Sequence, residues 1–196
     1  MSFITISENG TSLYKEKGSK FLGFSFRVKD EEEVKHWLET LRKEHTGACH
    51  VCYAFKLGYD GRNYRASDDG EPNNSAGQPI LGQINSFGVT EVLVAVVRYY
   101  GGTKLGVGGL INAYRTAAKE ALENSGTHEE DIMSTFVIQC EYEKLPLLMK
   151  EIKMRQISIE YQSLDLSCEL HVKLKLDDEA NWKVFLDGHA LNHKRL

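Results

Sequence analysis

The sequence is poor in the features that mark secreted, membrane-spanning and strongly basic proteins. It contains no long apolar run, only three prolines and only four cysteines in 196 residues. The amino terminus, MSFITISENG, lacks the basic start and apolar stretch of a signal peptide. Apart from Cys49 and Cys52 the cysteines are widely spaced, which favours reduced thiols over a disulfide framework. We therefore expect a soluble cytoplasmic protein that does not enter a membrane.

The chain also lacks a surplus of positive charge, because its formal net charge is −4. Residues 1–126 carry 15 Lys and Arg against 15 Asp and Glu, whereas residues 127–196 carry 9 against 13. A bulk electrostatic footprint for nucleic acid is therefore absent. A local basic patch is still compatible with the sequence, because residues 50–119 hold seven basic and five acidic side chains.

The first two thirds of the chain predict a mixture of strands and helices. Strands are predicted at 20–28, 50–59, 62–67 and 91–100. Helices are predicted at 30–45, 78–87 and 110–126. The strand at 91–100 is almost continuously apolar, which indicates a central strand covered on both faces. One side of the last helix carries Leu110 and then alanines, so this helix can lie close to a sheet.

The remaining residues predict a second, smaller domain. The polar stretch 127–134 marks the boundary between a domain at 1–126 and one at 134–196. The second domain is predicted to contain strands at 134–142, 157–163 and 166–176 and helices at 143–152 and 178–186. Two helices on one face of an antiparallel sheet, in βαββα order, are typical of a ferredoxin-like α+β domain.

Five glycines fall within the thirteen residues RYYGGTKLGVGGL (98–110). A Walker A motif requires Ser or Thr after Lys104, and a dinucleotide fingerprint requires glycine at the position of Ile111, so neither nucleotide motif is present. One interpretation is purely structural: residues 101–102 form a tight turn and residues 106–109 form a close crossing of chains, without a ligand.

The other interpretation of the glycine segment is an anion site. The free N–H groups of Gly108, Gly109 and Leu110 would point outward from the start of a helix, and Arg98 and Lys104 would add positive charge. The candidate anion-binding residues are Arg98, Gly101, Gly102, Lys104, Gly106, Gly108 and Gly109.

The loop DDGEPNN places three carboxylates, those of Asp68, Asp69 and Glu71, within four residues. Carboxylate oxygens suit a hard cation, but the spacing is not that of an EF-hand, and an ordinary Asp-Gly turn explains the same residues. Together with His50, these carboxylates are the candidate catalytic groups if the protein is an enzyme. We assign no metal ion and no cofactor.

Cys49, His50 and Cys52 suggest a zinc site or a nucleophilic Cys–His pair. A strand places His50 and Cys52 on one face and Cys49 on the other, and no second pair of ligands lies nearby, which disfavours zinc. Positions two apart along a strand also disfavour a direct Cys–His hydrogen bond. Tyrosines near basic residues could stack the bases of single-stranded nucleic acid or belong to the core and rim of the sheet: Tyr53, Tyr59, Tyr64, Tyr99, Tyr100 and Tyr114.

Taken together, HVCYAF, DDGEPNNSAGQPIL and VLVAVVRYYGGTKLGVGGLINAY resemble the IMPACT/YigZ family. The resemblance runs from about residue 15 to 124 and more loosely to residue 190. It implies an α+β protein whose first domain has the βαβ-containing fold of a ribosomal-protein domain and of GHMP-type kinases, with a left-handed crossover. It implies a second domain similar to the last, ferredoxin-like domain of elongation factor G. The matching positions are His50, Asp68, Asp69, Gly70, Glu71, Pro72, Gly77, Pro79, Arg98, Gly101, Gly102, Lys104, Gly106, Gly108 and Gly109.

The sequence departs from the family pattern in two places. Asn112 stands where the resemblance implies an arginine, which removes one cation from the expected site. The chain ends in HALNHKRL, so we expect the last strand of the second domain to be missing. The acidic second domain fits a protein partner better than RNA.

The resemblance implies a role in translational control. Eukaryotic members of the family restrain a kinase and carry an additional N-terminal interaction domain, for which this chain has no room, so we do not transfer that mechanism. We expect a translation-associated regulator or a binding module for RNA, the ribosome or another phosphate-rich ligand. Two alternatives stay open: an enzyme acting on a phosphorylated small molecule, by analogy with GHMP-type kinases, and a protein-interaction adaptor acting through the acidic domain.

Overall fold

The computed structural model describes residues 1–165 and 167–196, which divide into two compact units. One unit is Ser2–Glu130, and the other is Asp131–Leu196 with Met1. The protein has an α+β fold, as the sequence predicts. Whether 1–126 and 134–196 fold as independent domains stays a prediction.

The first unit is built on a five-stranded antiparallel sheet and three helices. Its strands are β1 (Ser2–Ile6), β2 (Gly10–Glu16), β3 (Ser19–Arg27), β4 (His50–Leu57), β5 (Asn63–Ser67), β6 (Val92–Tyr99) and β7 (Thr127–Asp131), of which only Asp131 belongs to the other unit. Its helices are α1 (Glu31–Glu44), α2 (Gly77–Phe87) and α3 (Gly106–Ser125). The main sheet has the order β2-β3-β6-β4-β5, and β1 pairs with β7 in a separate two-stranded sheet.

Strand β6 lies at the centre of the main sheet, with all of its residues from Val92 to Val97 buried. The prediction of a central strand covered on both faces is therefore confirmed. Side chains alternate across the sheet, so that Val51 and Phe55 of β4 pack with α1 on one face. Cys52 and Ala54 of the same strand pack with α2 and α3 on the other face.

Helix α3 lies close to β2 and β3 because small residues occupy both surfaces. A Cβ atom added at Gly23 would lie 2.4 Å from the carbonyl oxygen of Ala117, and one added at Gly10 would lie 2.1 Å from that of Ala121. The Ser12 hydroxyl donates a hydrogen bond to the Ala117 carbonyl oxygen at 2.7 Å. The predicted close approach of this helix to a sheet is confirmed.

The second unit has the strand and helix order of a ferredoxin-like fold. Its elements are β8 (Met133–Cys140), α4 (Leu145–Met154), β9 (Ser158–Leu164), β10 (Cys168–Lys175), α5 (Glu179–Gly188) and β11 (Asn192–Arg195). The sheet is antiparallel with the order β11-β8-β10-β9. Helices α4 and α5 share one face of it, where Trp182, Phe136 and Leu148 are fully buried.

A buried carboxylate links α5 to the sheet of the second unit. Glu179 accepts hydrogen bonds from the Lys183 ammonium at 2.6 Å and from the Ser134 hydroxyl at 2.9 Å. The hydrogen bond from Lys183 lowers the pKa of Glu179 below its ordinary value. Desolvation by burial acts in the opposite direction but has the smaller effect. The ion pair therefore stabilises the folded state when this carboxyl is ionised.

Several element predictions were wrong or incomplete. The last strand is present, since residues 192–195 pair with β8; four polar residues carry too little periodicity to predict it. Strands β1, β2 and β7 were not predicted, and β7 falls inside the polar stretch 127–134. Strand β10 is shorter than the predicted 166–176, because Leu176 begins a 3-10 turn, and Leu166 lies outside the described residues.

Across 1–165 and 167–196, no helix has the length and apolar character needed to cross a membrane.

Candidate functional site

The glycines that follow β6 meet different structural needs. Gly101 lies against another stretch of chain, where an added Cβ would be 2.0 Å from the Gly18 carbonyl carbon. The Gly101 N–H also donates to the Ser19 hydroxyl at 3.0 Å. Gly102 and Gly106 have φ angles of 85° and 72°, a left-handed conformation that favours glycine. The close crossing of chains therefore occurs at Gly101, and not at the later glycines where the structural interpretation placed it.

Helix α3 begins at Gly106, four residues before the predicted start at Leu110. The N–H groups of the first turn have no intrahelical partner, so the free amides are those of Gly106, Val107 and Gly108, and Gly109 lies inside the helix. In the described part of the chain no side chain caps this end, and the first turn contains no acidic residue. The positive end of the helix is therefore open to an anion.

Gly108 lies in open space. A Cβ added there would meet no described atom within 4 Å apart from its chain neighbours and the adjacent helix backbone, and the backbone is helical rather than left-handed. Glycine is about 1 kcal/mol less favourable than alanine inside a helix. Neither packing nor backbone conformation requires glycine at this position, so its backbone stays accessible from outside the helix.

Arg98 is buried at the end of β6, with only 6% of its surface exposed. Its guanidinium donates to a Glu71 carboxylate oxygen at 2.5 Å, and the Tyr114 hydroxyl donates to the same oxygen at 2.7 Å. Burial raises the pKa of the Tyr114 phenol, which therefore stays protonated. Because Glu71 balances its charge, Arg98 is not the free cation that the sequence suggested. Its Nε is buried and has no hydrogen-bond partner among the described residues.

A cleft of about 550 Å³ lies between the acidic loop and the start of α3. It brings together Glu71, Arg98, Lys104 and Gly106, which come from three separate segments of the chain. Lys104 is exposed. The other lining residues are mostly apolar: Pro72, Tyr100, Leu105, Val107 and Leu110. We call this the anion cleft, because its donors outnumber its one carboxylate.

Asp68 organises the acidic loop and caps α2. One carboxylate oxygen accepts from the N–H groups of Ala76 at 2.9 Å and Gly77 at 2.8 Å, and the other accepts from Asn74 N–H at 2.8 Å. These are the bonds of a helix cap, formed by a residue distant from the helix start in sequence. Asp68 is therefore occupied by structural hydrogen bonds.

Asp69 ties the same loop to β4 and α1. Its carboxylate accepts from Val51 N–H at 2.7 Å and forms an ion pair with Arg42 at 3.1 Å. Asp68, Asp69 and Glu71 thus have three different sets of partners. Within residues 1–165 and 167–196, no group of three His, Cys, Asp or Glu side chains is arranged so that it could hold a metal ion.

His50 and Cys52 lie on neighbouring positions of β4 and both bond to the acidic loop. His50 Nδ1 lies 2.7 Å from the Asp69 carbonyl oxygen and must donate to it, which leaves Nε2 4.0 Å from the Glu71 carboxylate. The Cys52 thiol donates to the Asp68 carbonyl oxygen at 3.0 Å, and burial raises its pKa. Of the candidate catalytic groups the structure brings His50 and Glu71 together, but it does not form a Cys–His nucleophile pair.

The six tyrosines considered for base stacking lie in different settings. Tyr114 is fully buried, and Tyr99 and Tyr53 are half-buried. The exposed ones are Tyr59, Tyr64 and Tyr100. Tyr100 lines the anion cleft, and the Arg98 guanidinium lies 5.6 Å from its ring centroid. Tyr100 is thus the tyrosine whose position fits the stacking interpretation.

Sequence reasoning missed the network that joins Glu71, Arg98 and Tyr114. These residues are 27 and 43 positions apart along the chain, so no local motif contains them. One signal was available, since Tyr114 follows Leu110 by four residues and so lies on the buried stripe of the helix. A buried tyrosine hydroxyl requires a hydrogen-bond partner, which here is the Glu71 carboxylate.

Comparison with known proteins agrees with the motifs around the anion cleft. Residues 17–122 match the Impact N-terminal domain. IMPACT family member YigZ of Escherichia coli (strain K12) is 36% identical over 155 residues, 76% of each chain. IMPACT family member YvyE of Bacillus subtilis (strain 168) is 31% identical over 89% of this chain and 81% of its own length. The crystal structure of a hypothetical protein, 30% identical, matches 98% of this chain and 96% of its own with a TM-score of 0.75. The chain therefore belongs to the IMPACT family.

Proposed function

We propose that this protein is a binding module that captures a phosphate group of RNA, either free or within the ribosome, in the anion cleft. The observation that carries the proposal is that two sets of hydrogen-bond donors line one cleft. The uncapped start of the 20-residue helix α3 and the buried Arg98, whose Nε has no partner among the described residues, line the same cleft. A helix start with free amides is a general binding site for phosphate.

The donors of the cleft have complementary roles. The amides of Val107 and Gly108 are fixed by the first turn of the helix and supply directional hydrogen bonds. Lys104 supplies a mobile positive charge in an exposed position. Arg98 is held in place by Glu71, so that its remaining donors keep one orientation. The cleft therefore recognises phosphate by fixed geometry together with one free charge.

The link to translation is supported by family membership, because the IMPACT resemblance implies translational control. The enzyme alternative has less support from the geometry, since Asp68 and Asp69 are occupied by structural hydrogen bonds. Within the proposal, the module brings this chain to RNA or to the ribosome and does not transform its ligand.

Co-sedimentation with ribosomes and with free RNA across a salt series tests the proposal. The informative variant is Lys104→Glu, since Arg98→Glu would place two carboxylates together in a buried site. The matched control is Lys35→Glu, the same charge change at an exposed position of α1 on the opposite face of the sheet. We expect binding that weakens with salt and is lost in Lys104→Glu but retained in the control. Salt-independent binding, or equal loss in both variants, would contradict the proposal.

A further inference from the structure

A second cleft, of about 460 Å³, adjoins the anion cleft. Lys20, His45, Tyr99 and Tyr100 line it, together with Leu13, Gly18 and Leu22. Tyr100 lines both clefts. Neighbouring residues of a strand project to opposite faces, and Arg98 lines the first cleft whereas Tyr99 lines the second. The two clefts therefore lie on opposite faces of the sheet and meet at the end of β6.

A third and smaller cleft, of about 220 Å³, continues from the second one. His45 lines both of them, and the third cleft also contains Arg42, His50 and Asp69. We call the three clefts together the strand-end strip. The clefts are adjacent, because Tyr100 lines both the first and the second and His45 lines both the second and the third.

The strip differs in charge from the rest of the protein. Its four permanent cations are Lys20, Arg42, Arg98 and Lys104. Its carboxylates are those of Asp69 and Glu71, which are paired with Arg42 and Arg98. The strip is thus positive, whereas the chain as a whole carries −4. An elongated ligand with several negative charges is complementary to it.

Tyr100 gives the strip an aromatic surface at its middle. Its surface is 48% exposed, and the Arg98 guanidinium lies over its ring at 5.6 Å from the centroid. An exposed aromatic ring flanked by cations is the usual platform on which proteins stack the bases of single strands. The bases of a duplex are already stacked on each other and are not available to such a ring.

We propose that the strand-end strip binds single-stranded nucleic acid, with a phosphate at the start of α3, a base stacked on Tyr100 and the following phosphate beside Lys20. This inference rests on the proposed function and adds the class of ligand. Unpaired nucleotides fit the alternation of cations and aromatic surface along the strip. A duplex and a small phosphate compound each use only part of it.

Fluorescence anisotropy with a fluorescein-labelled octauridylate tests the inference on the full chain. A labelled eight-base-pair duplex serves as the second probe, and tripolyphosphate serves as a competitor. Tyr100→Ala should weaken octauridylate binding at least about fivefold, because stacking contributes about 1–3 kcal/mol per base. Tyr100→Phe keeps the ring and should bind within about twofold of the native protein. Tyr64→Ala, at an exposed tyrosine of the edge strand β5, is the matched control and should bind as the native protein does.

The salt dependence of binding tests the second phosphate contact. Lys20→Ala should lower the slope of log affinity against log salt by about 0.7, the value for one phosphate of a single strand. Lys35→Ala should leave this slope unchanged.

The outcomes separate this inference from the proposed function. Suppose that Lys104→Glu abolishes binding of octauridylate while Tyr100→Ala and Lys20→Ala bind normally. Phosphate binding in the anion cleft is then supported, and single-strand binding along the strip is wrong. Equal affinity for the duplex, or full displacement by tripolyphosphate at stoichiometric concentration, would also contradict the binding of a single strand along the strand-end strip. If Lys104→Glu binds RNA as the native protein does, the proposed function itself is wrong.

Discussion

Replacing Gly108 by alanine should make the protein more stable and a weaker binder. Apart from its chain neighbours and the adjacent helix backbone, no described atom lies within 4 Å of the added methyl group, and the backbone there is already helical. Alanine is favoured over glycine by about 1 kcal/mol inside a helix, and we expect about half of this in the first turn. The Cα–Cβ bond of a helical residue tilts toward the helix start, so the methyl group would stand at the proposed phosphate position. Loss of charge-assisted hydrogen bonds to the amides should weaken RNA binding at least about tenfold.

Urea denaturation and anisotropy on the same preparations provide the assay. The matched control is Gly82→Ala in α2, because a Cβ there also meets no described atom within 4 Å. The control should gain about 1 kcal/mol of stability and bind RNA as the native protein does. Native affinity of Gly108→Ala for RNA would contradict this prediction, since the open backbone of Gly108 would then not contact the ligand.

Further predictions concern the buried network, acid stability and thiol reactivity. Glu71→Gln leaves the buried Arg98 cation without a counter-charge and should reduce the free energy of unfolding by about 3–5 kcal/mol in urea titrations. A lysine ammonium lowers the pKa of Glu179, so its contribution to stability is present above the ordinary glutamate pKa of about 4.3 and is lost as the pH falls below it. Thermal scans from pH 6 to pH 3 should show a smaller acid-induced loss for Glu179→Gln than for the native protein. Iodoacetamide should modify the exposed Cys49 of the folded protein but not Cys52, whose burial raises its pKa; peptide mass mapping checks this.

The sequence predicts those parts of the fold that depend on local patterns. The apolar run at 91–100 identifies the central strand, and Asp30 identifies the start of α1 by capping it through Glu33 N–H. The alternation of Cys168, Leu170 and Val172 likewise identifies the buried face of β10. Each of these signals lies within one element, where periodicity or capping chemistry is decisive.

The start of α3 shows why other features could not be predicted. Glycines have low helix propensity, so the pattern predicts a start at Leu110, yet the helix begins about one turn earlier, at Gly106. The pairing of Arg98 with Glu71 depends on the arrangement of a strand end and a loop 27 residues apart in sequence. The sequence named both residues as candidates but gave no indication that one neutralises the other.

The close packing of α3 against β2 and β3 has a consequence for how a ligand would bind. Gly10 and Gly23 allow the backbone of the helix to pack directly against the sheet, which restricts its movement there. The amides at its start are therefore preorganised, and their ordering entropy is lost during folding rather than during association. Ala117 lies 11 residues beyond Gly106, roughly 16 Å along the helix axis. The orientation of the donors is thus controlled from a distance, by two glycines of the sheet that no ligand touches.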